Sequence, residues 1–98
     1  MVTVWIPSLL RSLTGGVTQI ELEAGSLREL IDRLDERHPG IKDRLVGDDR
    51  VKPNIAVVVN GVNSRSGLRQ PLDDGSEVHF VPAMSGGATQ VGTTNGAR

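Results

Sequence analysis

Two successive glycines near the carboxyl end are the residues of this sequence best suited to chemistry. Gly86 and Gly87 follow residues 81–85, which read VPAMS. Because glycine lacks a Cβ atom, this strip of main chain can enter a channel that excludes ordinary residues. From residue 83 to residue 87 it can extend about 17 Å, at roughly 3.3–3.6 Å per residue. A Gly-Gly pair alone is also typical of a linker, but its position after a strand and a proline favours a backbone carboxylate presented to a partner's active site.

Cysteine is absent from the 98 residues. Disulfides, thiolate metal sites and thiol nucleophiles are therefore excluded. If the protein handles sulfur or acyl groups, they cannot be attached to a side-chain thiol.

The titratable residues predict neither a catalytic site nor a metal site. His38 and His79 fall on different predicted elements, so we expect His38 at a helix end and His79 on the surface of a strand. Aspartate pairs at 48–49 and 73–74 stand beside glycines, where adjacent carboxylates are more often turn formers than an acid–base pair. Phosphate-binding glycine loops and nucleophile motifs are missing from the sequence. We therefore expect a protein that is not an enzyme.

Size and charge restrict the partners. A chain of 98 residues has room for one small domain. Eleven Lys and Arg against twelve Asp and Glu give a net charge of −1, and the aromatic residues are one Trp and one Phe. No nucleic-acid partner is expected, because phosphate binding needs a basic excess and base stacking needs aromatic side chains. The sequence has neither a long apolar run nor a secretory signal, which predicts no membrane association and a cytoplasmic location.

The first half of the sequence predicts two strands and a helix. Residues 2–6 and 18–22 alternate apolar and polar side chains and are expected to pair antiparallel, with a short helical turn at 8–13. Ser26 and Glu29 form a capping-box pattern that starts a helix. Its apolar residues fall on one stripe, which we expect to be buried: Leu27, Leu30, Ile31 and Leu34. A further helical turn at 41–46 and a surface loop at 47–50 follow.

The second half predicts a hairpin and a final strand. Residues 55–59 are apolar on both faces, which is typical of a strand inside a sheet covered on both sides. An Asn-Gly pair follows and predicts a type I′ turn. The last strand, 77–81, turns His79 and Val81 away from the helix, and Pro82 ends regular pairing.

Together these elements predict one two-layer α+β domain over residues 1–85, with strands gathered around a single amphipathic helix. Residues 86–98 contain one valine as their only large apolar side chain. Such a segment cannot offset its ordering entropy by burial, so we expect a flexible tail that carries the two glycines.

The ending of the sequence resembles the MoaD/ThiS family of ubiquitin-like sulfur carriers. Residues 71–87, PLDDGSEVHFVPAMSGG, follow the family pattern P-L-x-D-G-D-E-V-x-x-x-P-x-x-x-G-G, and the resemblance extends over residues 2–87. The opening at 6–16, IPSLLRSLTGG, is most similar to the cysteine-biosynthesis (CysO-type) branch. The resemblance implies a β-grasp fold, in which a mixed sheet of four to five strands packs on one main helix.

The same resemblance implies a carrier rather than a catalyst. In the family, an E1-like enzyme uses ATP to adenylate the terminal glycine carboxylate, and sulfur then replaces the adenylate to give a thiocarboxylate. By resemblance, Gly87 with Gly86 is the sulfur-carrying terminus, the carrier binds no cofactor, and a PLP-dependent cysteine synthase accepts the sulfur. Three alternatives stay open: the small subunit of molybdopterin synthase, a ubiquitin-like modifier conjugated to lysines, and a pure interaction module.

The chain departs from the family pattern by continuing for eleven residues after Gly87. Gly87 therefore has no free carboxylate until residues 88–98 are removed. A JAMM-type peptidase, as in some related carriers, is the expected agent of removal. There are two alternatives. Residues 88–98 are a permanent extension on a domain that has lost sulfur chemistry, or they are an artefact of expression or of gene assignment.

The outer side of the last strand predicts a docking surface. Trp5, His79 and Val81 are expected to point away from the helix, beside Pro82 and Met84 where the chain leaves the sheet. An exposed apolar patch with an aromatic residue is typical of protein interfaces. The adenylating enzyme is the expected partner, and an ordinary half-exposed tryptophan is the alternative.

Overall fold

The computed structural model describes residues 1–83 of the chain. The strands are β1 (Val2–Trp5), β2 (Gln19–Leu22), β3 (Val46–Gly47), β4 (Arg50–Val51), β5 (Ile55–Val59), β6 (Val62–Asn63) and β7 (Glu77–Pro82), and the helices are α1 (Leu27–Arg37) and α2 (Ile41–Leu45). Short 3₁₀ turns cover Ser8–Leu10 and Gly67–Arg69. The predictions about Met84, Gly86, Gly87 and the tail fall outside the described residues.

A five-stranded mixed sheet in the order β2-β1-β7-β5-β6 forms one layer of the domain. Strands β1 and β7 run parallel, with Thr3 opposite Glu77 and Trp5 opposite His79. The other neighbouring strands of this sheet are antiparallel. Helix α1 forms the second layer and packs its apolar stripe against the sheet, which is the α+β arrangement that the sequence predicts.

The core consists of the inner face of the sheet and the stripe of α1. Period-two alternation turns Val4 and Val78 inward, where both side chains are fully buried. The predicted stripe of α1 is buried as well: Leu27, Leu30, Ile31 and Leu34. Each such side chain contributes about 1.5–3 kcal/mol by leaving water. Across residues 1–83, no helix combines the length and the apolar composition needed to cross a membrane.

Helix α1 begins at the predicted cap, Ser26, but one of the two capping-box hydrogen bonds has a different partner. The Glu29 N–H donates to Ser26 Oγ at 3.2 Å, as the capping-box pattern predicts. The Glu29 carboxylate accepts from the N–H of Gly25 at 2.7 Å, one residue before the cap. Its second oxygen pairs with the Arg33 guanidinium at 3.2 Å. The Gly25 N–H, and after it Arg33, lower the pKa of Glu29.

The link from α1 to α2 depends on Asp35, a residue that the sequence pattern did not indicate. Asp35 Oδ1 accepts from the N–H groups of Gly40 and Lys42 at 3.0 and 3.1 Å. Gly40 has a φ of 106°, a left-handed conformation that glycine adopts without strain. Because Gly40 has no side chain to cap α2, Asp35 provides the acceptor from the preceding helix.

The prediction of a surface loop at 47–50 is wrong. These residues belong to a small hairpin in which β3 and β4 pair antiparallel, with Val46 opposite Val51. Asp48 and Asp49 have φ angles of 55° and 60°. Positive φ at both central residues is what a type I′ turn requires, and aspartate tolerates this conformation better than most residues.

The prediction that β5 is covered on both faces is also wrong. Val57 and Val59 are buried against the core, whereas Ala56 and Val58 are half-buried on the opposite side. That side of the sheet stays partly open to solvent. A second covering layer therefore does not explain the apolar residues on the outer side of β5.

Glu29 should make the stability of the domain sensitive to acid. Because folding lowers its pKa below the ordinary value of 4.5, its stabilisation is complete above that value and is lost as the pH falls through the folded pKa. Glu29→Gln should therefore reduce the loss of unfolding free energy between about pH 6 and pH 3, measured by urea denaturation. Glu36→Gln changes an exposed carboxylate of the same helix and should keep the wild-type pH dependence. Equal pH dependence in Glu29→Gln and wild type would contradict this role.

Candidate docking surface at the carboxyl-terminal exit

Pro82 is the last residue of β7, opposite Ile55, so the prediction that it ends regular pairing is wrong by one residue. The Ala83 N–H donates to the Asn54 carbonyl at 2.8 Å. In an antiparallel ladder, successive N–H groups of a strand point to opposite sides. Because the Ala83 N–H points toward β5, an N–H at Pro82 would point away from β5. On that side β1 has already ended at Trp5, so the proline removes no ladder hydrogen bond. The chain thus leaves from the end of the middle strand of the sheet.

The outer face of the sheet brings the predicted docking residues together. The parallel register sets Trp5 beside His79, and their rings stack with centroids 5.4 Å apart and an interplanar angle of 6°. The antiparallel register sets Val58 beside His79 and Ala56 beside Val81. These five half-buried residues form a surface that we call the outer patch.

A groove of about 380 Å³ lies where β1 and β7 end. Pro7 has no N–H with which to extend the parallel ladder, so the two chains separate after Trp5 and His79. The walls combine apolar and polar side chains, among them Trp5, Pro7, Arg11, Thr18, His79 and Pro82. We call this feature the exit groove, because the chain passes it as it leaves the sheet.

The polar groups of the exit groove include two prominent hydrogen-bond donors. Arg11 Nε donates to the Ile6 carbonyl at 3.2 Å, which ties the guanidinium to the end of β1. Trp5 Nε1 is buried and meets no acceptor within residues 1–83. A buried donor without a partner is costly, and because this atom is enclosed, the exposed Arg11 is the donor that another molecule can reach.

The described groups with shifted pKa values lie outside the exit groove. The Arg28 guanidinium, for example, lowers the pKa of Asp49 by a hydrogen bond between exposed side chains. Over the described range, no group of three or more His, Asp or Glu side chains is placed to hold a metal ion. The surface instead offers an apolar patch with donors beside it, which suits protein binding.

The structure places the predicted site residues as follows. Trp5, His79 and Val81 share the outer face, and Pro82 lies exposed at its edge. Met84, Gly86 and Gly87 lie outside the described residues. The docking role of all of them stays a prediction.

Three further residues were not predicted as part of the site: Ala56, Val58 and Arg11. The sequence did contain a signal for Ala56 and Val58, because a strand that is apolar on both faces needs a cover on its outer side. Arg11 lies in the segment between β1 and β2, and its approach to β7 comes from the fold rather than from a local pattern.

Comparison with known proteins gives a family and named relatives. The model of the ThiS family matches residues 4–87, so the match ends at the second glycine. The sulfur carrier protein CysO of Mycobacterium tuberculosis (strain H37Rv) is 34% identical over 93 residues, which are 88% of this chain and 98% of the relative. Small archaeal modifier protein 3 of Haloferax volcanii is 34% identical over 61 residues, 60% of this chain and 66% of the relative. These relatives are named as a carrier and a modifier rather than as enzymes.

A solved structure shares the architecture. A chain of the crystal structure of the Amycolatopsis orientalis BexX/CysO complex matches with a TM-score of 0.82 at 39% identity, covering 89% of this chain and 100% of that chain. The mixed sheet of five strands and its main helix are therefore the ubiquitin-like β-grasp fold that the sequence predicts. With the family match extending over residues 4–87, the chain belongs to the ThiS family.

Proposed function

We propose that this protein carries sulfur for biosynthesis, with cysteine as the product, and that the carboxylate of Gly87 holds the sulfur. The observation that supports this most strongly is the extent of the family match, which ends at that glycine. A relative with 34% identity over nearly its whole length is named a sulfur carrier protein. The chain leaves β7 at Ala83, shortly before the two glycines, so the proposed reactive end begins directly at the sheet.

Removal of residues 88–98 is the first proposed step. Hydrolysis of the bond between Gly87 and Ala88 adds water and leaves a carboxylate on one fragment and an amine on the other. A JAMM-type peptidase in the cytoplasm is the proposed agent. The absence of Cβ atoms at Gly86 and Gly87 lets the main chain pass through a narrow peptidase cleft.

Activation by an E1-like enzyme and ATP follows. An oxygen of the Gly87 carboxylate attacks the α-phosphorus of ATP, and pyrophosphate leaves. A sulfide-level nucleophile then attacks the carbonyl carbon of the acyl-adenylate, and AMP leaves. The product is a thiocarboxylate on the main chain. The carrier needs no cofactor of its own, because the partner provides the ATP site and stabilises the developing oxyanion.

Transfer to the acceptor completes the proposed cycle. The thiocarboxylate sulfur attacks an activated serine derivative in a PLP-dependent cysteine synthase, and a carbon–sulfur bond forms as the activating group leaves. The product is cysteine still joined to the Gly87 carbonyl. Hydrolysis of that acyl bond adds water, releases cysteine and restores the Gly87 carboxylate. A protein with no cysteine can take part because its nucleophile is built on backbone carbon.

Partner binding is assigned to the outer patch. Trp5 and His79 offer a flat stacked surface, and Val58, Val81 and Ala56 extend it. A partner that covers this patch holds Pro82 at its edge, and a fully extended segment from residue 83 to residue 87 can span at most about 17 Å. The relative from Amycolatopsis orientalis was solved in a complex with BexX, which supports a partner-binding role for this fold.

A protein modifier is the second candidate function, because one relative is named a small archaeal modifier protein. In that case the activated Gly87 would form an amide with lysines of target proteins instead of accepting sulfur. Both candidates need the same adenylation. They differ in the bond that replaces the adenylate.

Charging of the chain with sulfur is the first prediction. A chain ending at Gly87 keeps every described residue. After incubation with an E1-like adenylating enzyme, ATP and sulfide, its intact mass should rise by the difference between a sulfur and an oxygen atom. Omitting ATP should abolish the change. Unchanged mass in every reaction would contradict the carrier, and amide-linked species that survive denaturation would favour the modifier.

Substitution at the second glycine should block charging. In Gly87→Val, a branched side chain stands next to the reacting carboxylate and cannot enter a channel shaped for bare main chain, so thiocarboxylate formation should be lost. Gly92→Val, made in the full chain, is the control, because it places the same substitution in the segment that cleavage removes. After cleavage, this variant should form the thiocarboxylate like wild type. Mass spectrometry of both variants gives the result. Full charging of Gly87→Val would contradict the proposed channel.

Truncation of the outer patch should weaken partner binding. Trp5→Ala removes the largest side chain of the patch, and loss of such an interface residue costs about 2 kcal/mol, roughly a 30-fold rise in Kd. Titration of the adenylating enzyme by calorimetry measures it. Val62→Ala truncates an exposed aliphatic residue on β6 and should leave Kd unchanged. Equal Kd values for the two variants would show that the patch is not the interface.

A further inference from the structure

The exit groove is lined by donors and a cation, whereas carboxylates lie elsewhere on the same face. Ser8, Arg11 and Thr18 supply the polar part of its wall, and in the part of the chain described no Asp or Glu lines it. The groove is therefore electropositive beside the point where the chain leaves the sheet. Such a site is complementary to an acceptor that carries negative charge.

Arg11 is anchored through one guanidinium nitrogen, which leaves its other nitrogens as donors for a partner. Its Nε bonds to the Ile6 carbonyl, and the side chain is exposed. Among residues 1–83, no carboxylate forms an ion pair with it. Both terminal nitrogens of the guanidinium can therefore bind a carboxylate in the two-pronged geometry that arginine favours.

Trp5 forms the apolar side of the same groove. Its ring is stacked on His79 and lines the exit groove. Because its indole Nε1 is buried whereas the Arg11 side chain is exposed, Arg11 is the donor that a partner can reach.

The outer face has opposite charge at its other end. Glu21 and Glu77 flank Thr3 in the sheet register and both are exposed. Thr3 and Trp5 are two residues apart on β1, about 7 Å at the usual rise of a strand. The face is thus acidic on one side of Trp5 and cationic on the other, which defines one orientation for a charged partner.

We infer that the exit groove binds an aspartate or glutamate side chain of the adenylating enzyme, with the carboxylate on the Arg11 guanidinium. The inference rests on the proposed function, which supplies the partner. Residues 84–98 contain no Asp or Glu, so the chain's own tail offers no such side chain. The contact would fix the carrier beside Ala83 and aim the following residues into the enzyme.

Kinetics of adenylation test the ion pair. With the chain ending at Gly87 as substrate, Arg11→Gln should raise the KM for the carrier about tenfold, the size expected for loss of an interfacial charge contact, while kcat stays unchanged. Arg11→Lys keeps the charge and should restore most of the affinity. Arg65→Gln removes an exposed arginine elsewhere and should behave as wild type. Added salt should raise the wild-type KM and leave that of Arg11→Gln nearly constant.

If Arg11→Gln is unstable in thermal melts, Arg11→Lys and the salt dependence of the wild-type KM decide the question.

The outcomes separate this inference from the proposed function. If wild type is never adenylated, the proposed function fails. If wild type is adenylated and Arg11→Gln has the KM and salt dependence of Arg65→Gln, the inference is overturned and the carrier function stands. A second copy of the chain, whose Glu21 and Glu77 also offer carboxylates, is the competing occupant. If sedimentation shows a dimer for wild type and a monomer for Arg11→Gln while the KM is unchanged, the second copy is the occupant and the inference is overturned.

Discussion

The parallel pairing of β1 with β7 is the constraint on which the rest of this structure depends. It joins the two ends of the described chain in the middle of the sheet, and Val4 and Val78, which lie opposite each other, are both fully buried. A slip of one residue would exchange the faces of a strand. Trp5 or His79 would then enter the core and a core valine would lose its burial, so the hydrophobic free energy of the core fixes the register.

The same register produces both features that a carrier needs. It stacks Trp5 on His79 on the outer face, and it brings β7 past the end of β1 so that the chain leaves beside that stack. Pro7 ends the parallel ladder on one strand, and Pro82 loses no hydrogen bond on the other. The outer patch and the point where the chain leaves the sheet lie on one rigid strand and keep a constant relation to each other, which is what positioning of a reactive terminus requires.

Features set by local patterns could be predicted from the sequence. The buried stripe of α1 and its Ser26 cap follow from residue spacing, and the Asn60-Gly61 turn has the positive φ angles that this dipeptide predicts. Features set by contacts between distant segments could not. Asp35 caps a helix that follows its own, and Arg11 joins the exit groove only because β1 and β7 are neighbours.

Strand β5 shows how a correct pattern can lead to a wrong conclusion. Its outward Ala56 and Val58 indicated a second covering layer, and in the described domain these residues are half-buried on an open face. The pattern reports that the face is suited to burial and does not say by what. In the proposed function the cover is a partner protein, which a single sequence does not contain.

The proposed carrier function depends on a main-chain carboxylate at Gly87 that takes up sulfur. The most direct test is the intact mass of the endogenous protein, isolated from its own cells during growth that requires cysteine synthesis. We expect molecules that end at Gly87, of which a fraction has sulfur in place of one terminal oxygen. A population that retains residues 88–98 at every stage of growth would contradict it.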